Sequence, residues 1–129
     1  MSKFFDTNIL LYLVEYGPKM SVAEALLQKG GIVSAQVLNE FVDVCRRKHK
    51  MNFDDISAFL APVKATLEIV DLTVSCHERA VEIAASTNVR IYDACILAAA
   101  ELAGCDVLYT EDLNNGQRIG GVTIVNPFV

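Results

Sequence analysis

Near its amino terminus the sequence runs Lys3-Phe4-Phe5-Asp6-Thr7-Asn8-Ile9-Leu10. The two phenylalanines predict a short buried strand, and the residues from Asn8 onward predict the opening of a helix. Asp6 therefore lies at the carboxyl end of a strand, which is where open α/β sheets bind their ligands. A carboxylate is costly to bury there unless its charge is compensated, although Asp is also a common helix N-cap. We expect a divalent metal to compensate it, together with other acids of the fold.

Strand-like and helical segments alternate along the rest of the chain. Strands are predicted at residues 4–5, 32–34, 67–72, 106–110 and 122–125, and helices at 8–15, 20–28, 35–47, from 52 or 54 onward, 75–86 and 91–104. Such alternation predicts a parallel sheet with helices on both faces, a three-layer α/β/α sandwich. By its length of 129 residues the chain is predicted to form a single domain, residues 1–129.

Two local patterns give sharper expectations about helix geometry. Ser21 followed by Glu24 forms a capping-box pattern, which predicts that Ser21 caps the second helix. Pro62 lies inside the periodic pattern of the fourth helix and predicts a kink or a break near Ala61.

Three more acids fall near the ends of predicted elements. Asp112 follows the fourth strand, Asp93 opens an alanine-rich helix, and Glu40 lies about one turn into the helix after the second strand. Because the carboxyl ends of parallel strands share one edge of a sheet, Asp6 and Asp112 are expected at the same edge. Each acid also has an ordinary alternative: a helix cap for Asp93, a solvated position for Glu40 and a turn for Asp112. Their joint placement favours a common site.

The chemistry of such a site follows from its ligand type. Carboxylates gathered at one edge repel one another, and an unpaired cluster would partly protonate. Oxygen ligands without His or Cys suit Mg²⁺ or Mn²⁺ rather than zinc. Such an ion lowers the pKa of bound water and stabilises charge on a phosphoryl group, which implies hydrolysis of a phosphodiester. The formal net charge of −5 argues at first against a nucleic-acid substrate, but the argument weakens if several acids are metal ligands.

Composition predicts a cytoplasmic protein. The longest apolar run of the first helix is too short to span a bilayer, and no basic segment followed by an apolar one marks secretion. The cysteines and histidines form neither a C-x-x-C pair nor a zinc-binding pattern. We therefore expect four ordinary buried thiols, at Cys45, Cys76, Cys95 and Cys105.

Four short motifs resemble those of the PIN-domain family, and most closely the VapC-type toxins of bacterial and archaeal toxin–antitoxin pairs. They are, in order, Asp6-Thr7-Asn8, Asn39-Glu40, Tyr92-Asp93-Ala94 and Thr110-Glu111-Asp112. The resemblance covers essentially the whole chain, including the closing segment Gly120-Gly121-Val122-Thr123-Ile124-Val125-Asn126-Pro127-Phe128. Each motif alone is weak, but four in register are specific.

The resemblance implies a five-stranded parallel sheet between helices and a Mg²⁺- or Mn²⁺-dependent endoribonuclease. It also implies a small antitoxin partner and a homodimer. Carried over position by position, the acidic cluster would be Asp6, Glu40, Asp93 and Asp112, with Asp6 and Asp93 the firmest metal ligands. Polar positions matching the family are Ser34 and Thr110, while Asn8 would support Asp6. The choice of Asp112 over the adjacent Glu111 rests on its two-residue offset from Thr110.

Other protein classes also combine an α/β fold with an acid after the first strand. A haloacid-dehalogenase-type phosphatase needs a second Asp where Asn8 stands, and a phosphoacceptor receiver domain needs a late lysine, whereas none follows Lys64. The stronger alternatives are a catalytically weak PIN-like binding module and a solitary PIN nuclease without an antitoxin. The basic run 46–50 either guides the RNA backbone or is a solvated helix end.

Overall fold

The structure is a computed structural model and describes residues 2–129. The strands are β1 (Lys3–Phe5), β2 (Ile32–Ser34), β3 (Glu68–Val70), β4 (Val107–Tyr109), β5 (Arg118–Ile119) and β6 (Val122–Val125). The helices are α1 (Thr7–Leu11), α2 (Pro18–Gln28), α3 (Ala35–Arg47), α4 (Phe53–Thr66), α5 (Val74–Thr87) and α6 (Ile91–Leu102). Helices flank the sheet, as the alternating pattern predicts.

The sheet has the strand order β3-β2-β1-β4-β6-β5. Every neighbouring pair is parallel except β5 with β6. The predicted parallel strands are thus confirmed, but the sheet has six strands rather than five. The additional strand is β5, which pairs through Ile119 and Val122 across the turn Gly120-Gly121. Both glycines have positive φ, 56° and 81°, as a two-residue type I′ hairpin turn requires.

The strand β1 lies in the middle of the sheet and contributes two fully buried side chains to the core. Phe4 and Phe5 are completely buried, and the ring of Phe5 stacks on Tyr109 of β4 with centroids 5.7 Å apart. Strands buried on both faces are typical of parallel sheets between helices. Because β1 has a neighbour on each side, the backbone that follows it is fixed from two directions.

The predicted cap at Ser21 and the predicted break near Ala61 are wrong. The helix α2 begins at Pro18, with Gly17 as its N-cap and no side-chain capping bond, and Ser21 lies inside it. Proline suits the first helical position because its φ is preset and its missing N–H has no helical partner there. The helix α4 continues without a break through Pro62 because Ile56, Leu60 and Val63 are buried on both sides of the proline.

All four cysteines are free, as predicted; Cys95 is half-buried, and the others are buried. Within residues 2–129 no helix has the length and apolar character needed to cross a bilayer.

Candidate active site

The side chain of Asp6 lies where β1 meets α1. It is only 4% exposed, and its backbone N–H donates to the Tyr109 carbonyl at 3.0 Å, which continues the β1–β4 pairing by one residue. That bond sets Asp6 beside Thr110, the residue that follows β4. The sheet register therefore positions the first acid of the site.

Both oxygens of the Asp6 carboxylate accept hydrogen bonds. Oδ1 accepts from the Thr7 N–H at 2.7 Å, and Oδ2 accepts from the Thr110 hydroxyl at 2.9 Å. Asp6 is the N-cap of α1, so the capping alternative and the site prediction describe the same side chain. Thr110 is completely buried.

Burial raises the pKa of Asp6 from 3.8 to about 7. The hydrogen bonds from Thr7 and Thr110 oppose this rise, whereas the nearby charges of Glu40 and Asp112 add to it. The charged form of Asp6 is therefore incompletely compensated by the residues around it. A cation at this position would supply the missing compensation.

The side chain of Asn8 joins Asp112 to Thr110. Its Nδ2 donates to Asp112 Oδ2 and to Thr110 Oγ1, each at 3.1 Å. The backbone N–H of Asp112 also donates to Thr110 Oγ1 at 3.1 Å. The Thr110 hydroxyl thus accepts two hydrogen bonds while it donates to Asp6. Asn8 reaches Asp6 only through Thr110.

Glu40 is held by two residues that the sequence did not single out. Its Oε2 accepts from the Thr7 hydroxyl at 3.1 Å, and its Oε1 accepts from Gln36 Nε2 at 2.7 Å. The same Gln36 nitrogen donates to the Tyr92 carbonyl at 3.1 Å, so α3 is tied to the start of α6. The i, i+4 spacing of Gln36 and Glu40 was the only sequence pattern that pointed to this pair.

Asp93 lies in the first turn of α6 and is half-buried. Burial raises its pKa, and the charges of Asp112 and Glu40 raise it further, whereas Arg90 lowers it. Asp93 therefore shares one electrostatic environment with Asp6, Glu40 and Asp112. The structure brings the four acids to a single region.

Ser34, by contrast, is the N-cap residue of α3. Its hydroxyl oxygen accepts a hydrogen bond from the Val37 N–H at 3.4 Å and caps that helix. It is 1% exposed, and it lies at the carboxyl end of β2, the same edge that Asp6 occupies on β1.

The donor chemistry of this cluster fits a hard cation, because carboxylate oxygens are the ligands that Mg²⁺ and Mn²⁺ prefer. The carboxylates do not form a closed set of ligands in this structure. Among residues 2–129 no three acidic, histidine or cysteine side chains stand close enough together to hold a metal ion. For an ion to bind, these carboxylates would have to move closer together.

The basic run 46–50 lies at the other end of α3. Arg46 and Arg47 follow Glu40 by six and seven residues on this helix, so its last turn lies roughly 10 Å beyond Glu40 along the helix axis. Arg47 pairs with Asp43 at 3.0 Å, Lys48 pairs with Glu15 at 3.4 Å, and Arg46 stacks on Phe53. These contacts favour a solvated helix end.

Solved structures with the same fold include several toxin–antitoxin complexes. One from Klebsiella pneumoniae is 27% identical in sequence and covers 98% of each chain, with a TM-score of 0.72. VapBC-1 from nontypeable Haemophilus influenzae is 18% identical, covers 100% of each chain and gives a TM-score of 0.75. VapC20 from Mycobacterium tuberculosis, a sarcin–ricin loop cleaving toxin, is 19% identical over 86% of this chain and 90% of its own, with a TM-score of 0.71.

No curated protein sequence matches the chain. The family model of the PIN domain, however, matches residues 3–118, a range that contains all four acids and most of the sheet. The predicted resemblance is confirmed by this match and by structural neighbours that include VapC toxins in VapBC complexes. With its sheet order, its acids and this match in agreement, the chain belongs to the PIN-domain family.

Proposed function

We propose that the protein is a Mg²⁺- or Mn²⁺-dependent endoribonuclease and the toxin of a toxin–antitoxin pair. One observation carries the proposal: Asp6 is 4% exposed at the end of a central strand, and burial raises its pKa, to which the charges of Glu40 and Asp112 add. Burying an acid among other acids is costly unless a ligand uses the arrangement.

Four acids would hold the ion: Asp6, Glu40, Asp93 and Asp112. A bound divalent cation would lower the pKa of water and offset the negative charge that a phosphodiester develops as it is cleaved. The surrounding polar residues keep the acids in place. Thr110 orients Asp6, Asn8 orients Asp112, and Thr7 orients Glu40.

In the proposed reaction a water oxygen bonds to phosphorus, the bond from phosphorus to one ribose oxygen breaks, and that oxygen takes up a proton. Asp112 is exposed and Glu40 and Asp93 are half-buried at the carboxyl ends of the strands, which supports an accessible site. An extended RNA backbone can reach such a site without entering a closed pocket. VapC20, whose fold the chain shares, cleaves the sarcin–ricin loop, and this supports RNA as the substrate.

An antitoxin partner is supported by the toxin–antitoxin complex from Klebsiella pneumoniae, in which the matched chain is 27% identical to this one. We therefore propose a small antitoxin protein as the partner, a homodimer as the assembly and the cytoplasm as the location. Expression of the protein alone should arrest growth, and co-expression of the product of a neighbouring small gene should relieve the arrest.

The decisive experiment compares wild type with Asp6→Asn on purified RNA during a titration with Mg²⁺ or Mn²⁺. Wild type should cleave in a metal-dependent way, chelation should stop it, and Asp6→Asn should be inactive. Equal cleavage by both proteins would reveal a contaminating nuclease and overturn the proposal. Inactivity of both, with Mn²⁺ binding retained by wild type, would indicate a binding module instead.

A further inference from the structure

Three residues from separate parts of the chain meet beside the acid cluster. Tyr12 follows α1, Lys19 lies in the first turn of α2, and Glu111 follows β4 by two residues. Lys19 Nζ lies 2.8 Å from Glu111 Oε2 and donates to the Tyr12 hydroxyl at 3.2 Å. The Tyr12 hydroxyl donates in turn to Glu111 Oε1. Both oxygens of Glu111 are therefore engaged by this group, which we call the Glu111 clamp.

Two aromatic rings, those of Tyr12 and Phe128, form an aromatic platform that contacts the clamp. The rings of Tyr12 and Phe128 meet edge to face with centroids 5.0 Å apart. The Lys19 ammonium lies 5.0 Å from the Tyr12 centroid and 5.2 Å from the Phe128 centroid, within the range of cation–π attraction. Lys19 is thus held by two rings and a carboxylate, although its side chain is 42% exposed.

The clamp gives Glu111 a different character from its neighbours. Both of its carboxylate oxygens accept hydrogen bonds, Oε2 from the Lys19 ammonium at 2.8 Å and Oε1 from the Tyr12 hydroxyl. Glu111 is therefore an acid with a cationic partner of its own, Lys19, whereas no cationic side chain forms an ion pair with the acids of the cluster among residues 2–129.

The segment that carries Glu111 also carries Asp112. On its other side this segment is held by Asn8, whose Oδ1 accepts from the Glu111 N–H at 3.4 Å and whose Nδ2 donates to Asp112 Oδ2 at 3.1 Å. The two neighbouring carboxylates are thus bound by different residues: Glu111 by the clamp and Asp112 by Asn8. If Glu111 were released, it would be free to turn into the cluster and displace Asp112.

We propose that Lys19 and Tyr12 are positioning residues of the nuclease site: by holding Glu111 outside the acid cluster, they fix the backbone that directs Asp112 toward it. This inference rests on the proposed function, and it excludes Glu111 as a metal ligand. Supporting residues around metal ligands commonly alter metal affinity or activity when they are changed. Exposed ion pairs contribute little to global stability, so the clamp should affect the site much more than the fold.

The test uses Lys19→Met, Tyr12→Phe, Glu111→Gln and the double variant Lys19→Met/Glu111→Gln. Tyr12→Phe removes only the hydroxyl and keeps the aromatic platform. The matched control is Arg79→Met, which removes an ion pair with Glu101 of similar exposure, away from the acids. Mn²⁺ affinity is measured by calorimetry on each intact protein, and kcat and KM are measured on RNA.

Lys19→Met should weaken Mn²⁺ binding and lower kcat by roughly tenfold, with KM for RNA unchanged, whereas Arg79→Met should leave both as in wild type. Lys19→Arg, which keeps the charge near Glu111, should restore most of the loss. Glu111→Gln should resemble Lys19→Met, and the double variant should be no worse than either, because both changes remove the same contact.

Three outcomes would overturn the proposal. Lys19→Met could raise the KM for RNA by the same factor in the protein with Glu111 and in the Glu111→Gln variant. That result would mean that Lys19 contacts RNA directly. A far larger loss for Glu111→Gln than for Lys19→Met would make Glu111 a ligand. Unchanged Mn²⁺ affinity in Lys19→Met would remove the positioning role. If wild type binds Mn²⁺ but cleaves no RNA, the proposed function fails while calorimetry still decides the role of the clamp.

Discussion

Thr110 donates its hydroxyl hydrogen to Asp6 across 2.9 Å and thereby joins the ends of two neighbouring strands, β4 and β1. The same hydroxyl oxygen accepts from Asn8 and from the Asp112 N–H. A single buried side chain therefore determines the relative position of the first and last acids of the site. The short distance in space spans 104 positions in sequence.

Replacing Thr110 by valine tests this relationship, since valine keeps the shape and removes the hydroxyl. Asp6 would lose a donor, and the Asn8 amide and the Asp112 N–H would lose their acceptor. We expect a loss of about 1–3 kcal/mol in the free energy of unfolding, because the change leaves Oδ2 of the buried Asp6 without its donor. Urea unfolding without metal measures it. Thr66→Val is the control, because it removes an exposed hydroxyl that donates to the Pro62 carbonyl; an equal loss in both variants would contradict the prediction.

The raised pKa of Asp6 predicts how stability depends on pH in metal-free protein. Below pH 3.8 the carboxyl is protonated in both states. Between 3.8 and about 7 the unfolded chain has released the proton while the folded chain retains it, so unfolding releases a proton and rising pH favours it. The penalty builds up over this window to ~4 kcal/mol at most and is constant above it.

The measurement compares urea unfolding of wild type and Asp6→Asn from pH 4 to 8. The difference between them removes the contribution of the carboxylates that do not interact with Asp6, because that contribution is common to both proteins. Asp106→Asn, at an exposed acid, should behave as wild type does. Parallel stability curves for wild type and Asp6→Asn would show that Asp6 titrates normally.

Gln36 provides a prediction about Glu40. Gln36→Met removes the amide that donates to Glu40 and to the Tyr92 carbonyl, so Glu40 should lose its fixed orientation. We expect activity or Mn²⁺ affinity to fall roughly 10–100-fold, as for other residues that orient metal ligands. Steady-state kinetics and calorimetry measure the two quantities. Gln28→Met, at the exposed end of α2, is the control, and a similar fall there would point to a general effect on folding.

The sequence was most informative where a strand end determined the position of a residue. Asp6 and Asp112 could be assigned to one edge because parallel strands end together. The register of β1 with β4, in which Phe5 pairs with Tyr109, brings the residues that follow the two strands side by side. Thr7 and Gln36 could not be found in this way, since their hydrogen bonds to Glu40 depend on how α1, α3 and α6 pack. The role of Glu111 was open for the same reason: its partners, Tyr12 and Lys19, are far away in sequence.

The errors of sequence interpretation have physical causes as well. Ser21 satisfies a capping pattern, but Pro18 three residues earlier provides a stronger helix start. Pro62 breaks helices in isolation, but burial of Leu60 and Val63 beside it outweighs the lost hydrogen bond. The strand β5 was missed because two residues show no periodicity, although the Gly120-Gly121 turn marked the hairpin.

Gly31 lies against β1, the strand that leads to Asp6. A Cβ added at Gly31 would lie 2.8 Å from the Lys3 carbonyl oxygen and would also collide with the ring of Phe5. Its φ of 150° already disfavours other residues. Gly31→Ala should therefore shift β1 and lower the free energy of unfolding by about 1–3 kcal/mol through overpacking, in addition to backbone strain.

Gly30→Ala is a matched control, since its φ is also positive but a Cβ there meets nothing within 4 Å. Urea unfolding should separate the two variants, and Mn²⁺ affinity should fall only in Gly31→Ala, because only this change displaces the backbone leading to Asp6. Equal losses of stability would show that the positive φ, rather than the contact with β1, accounts for the glycine.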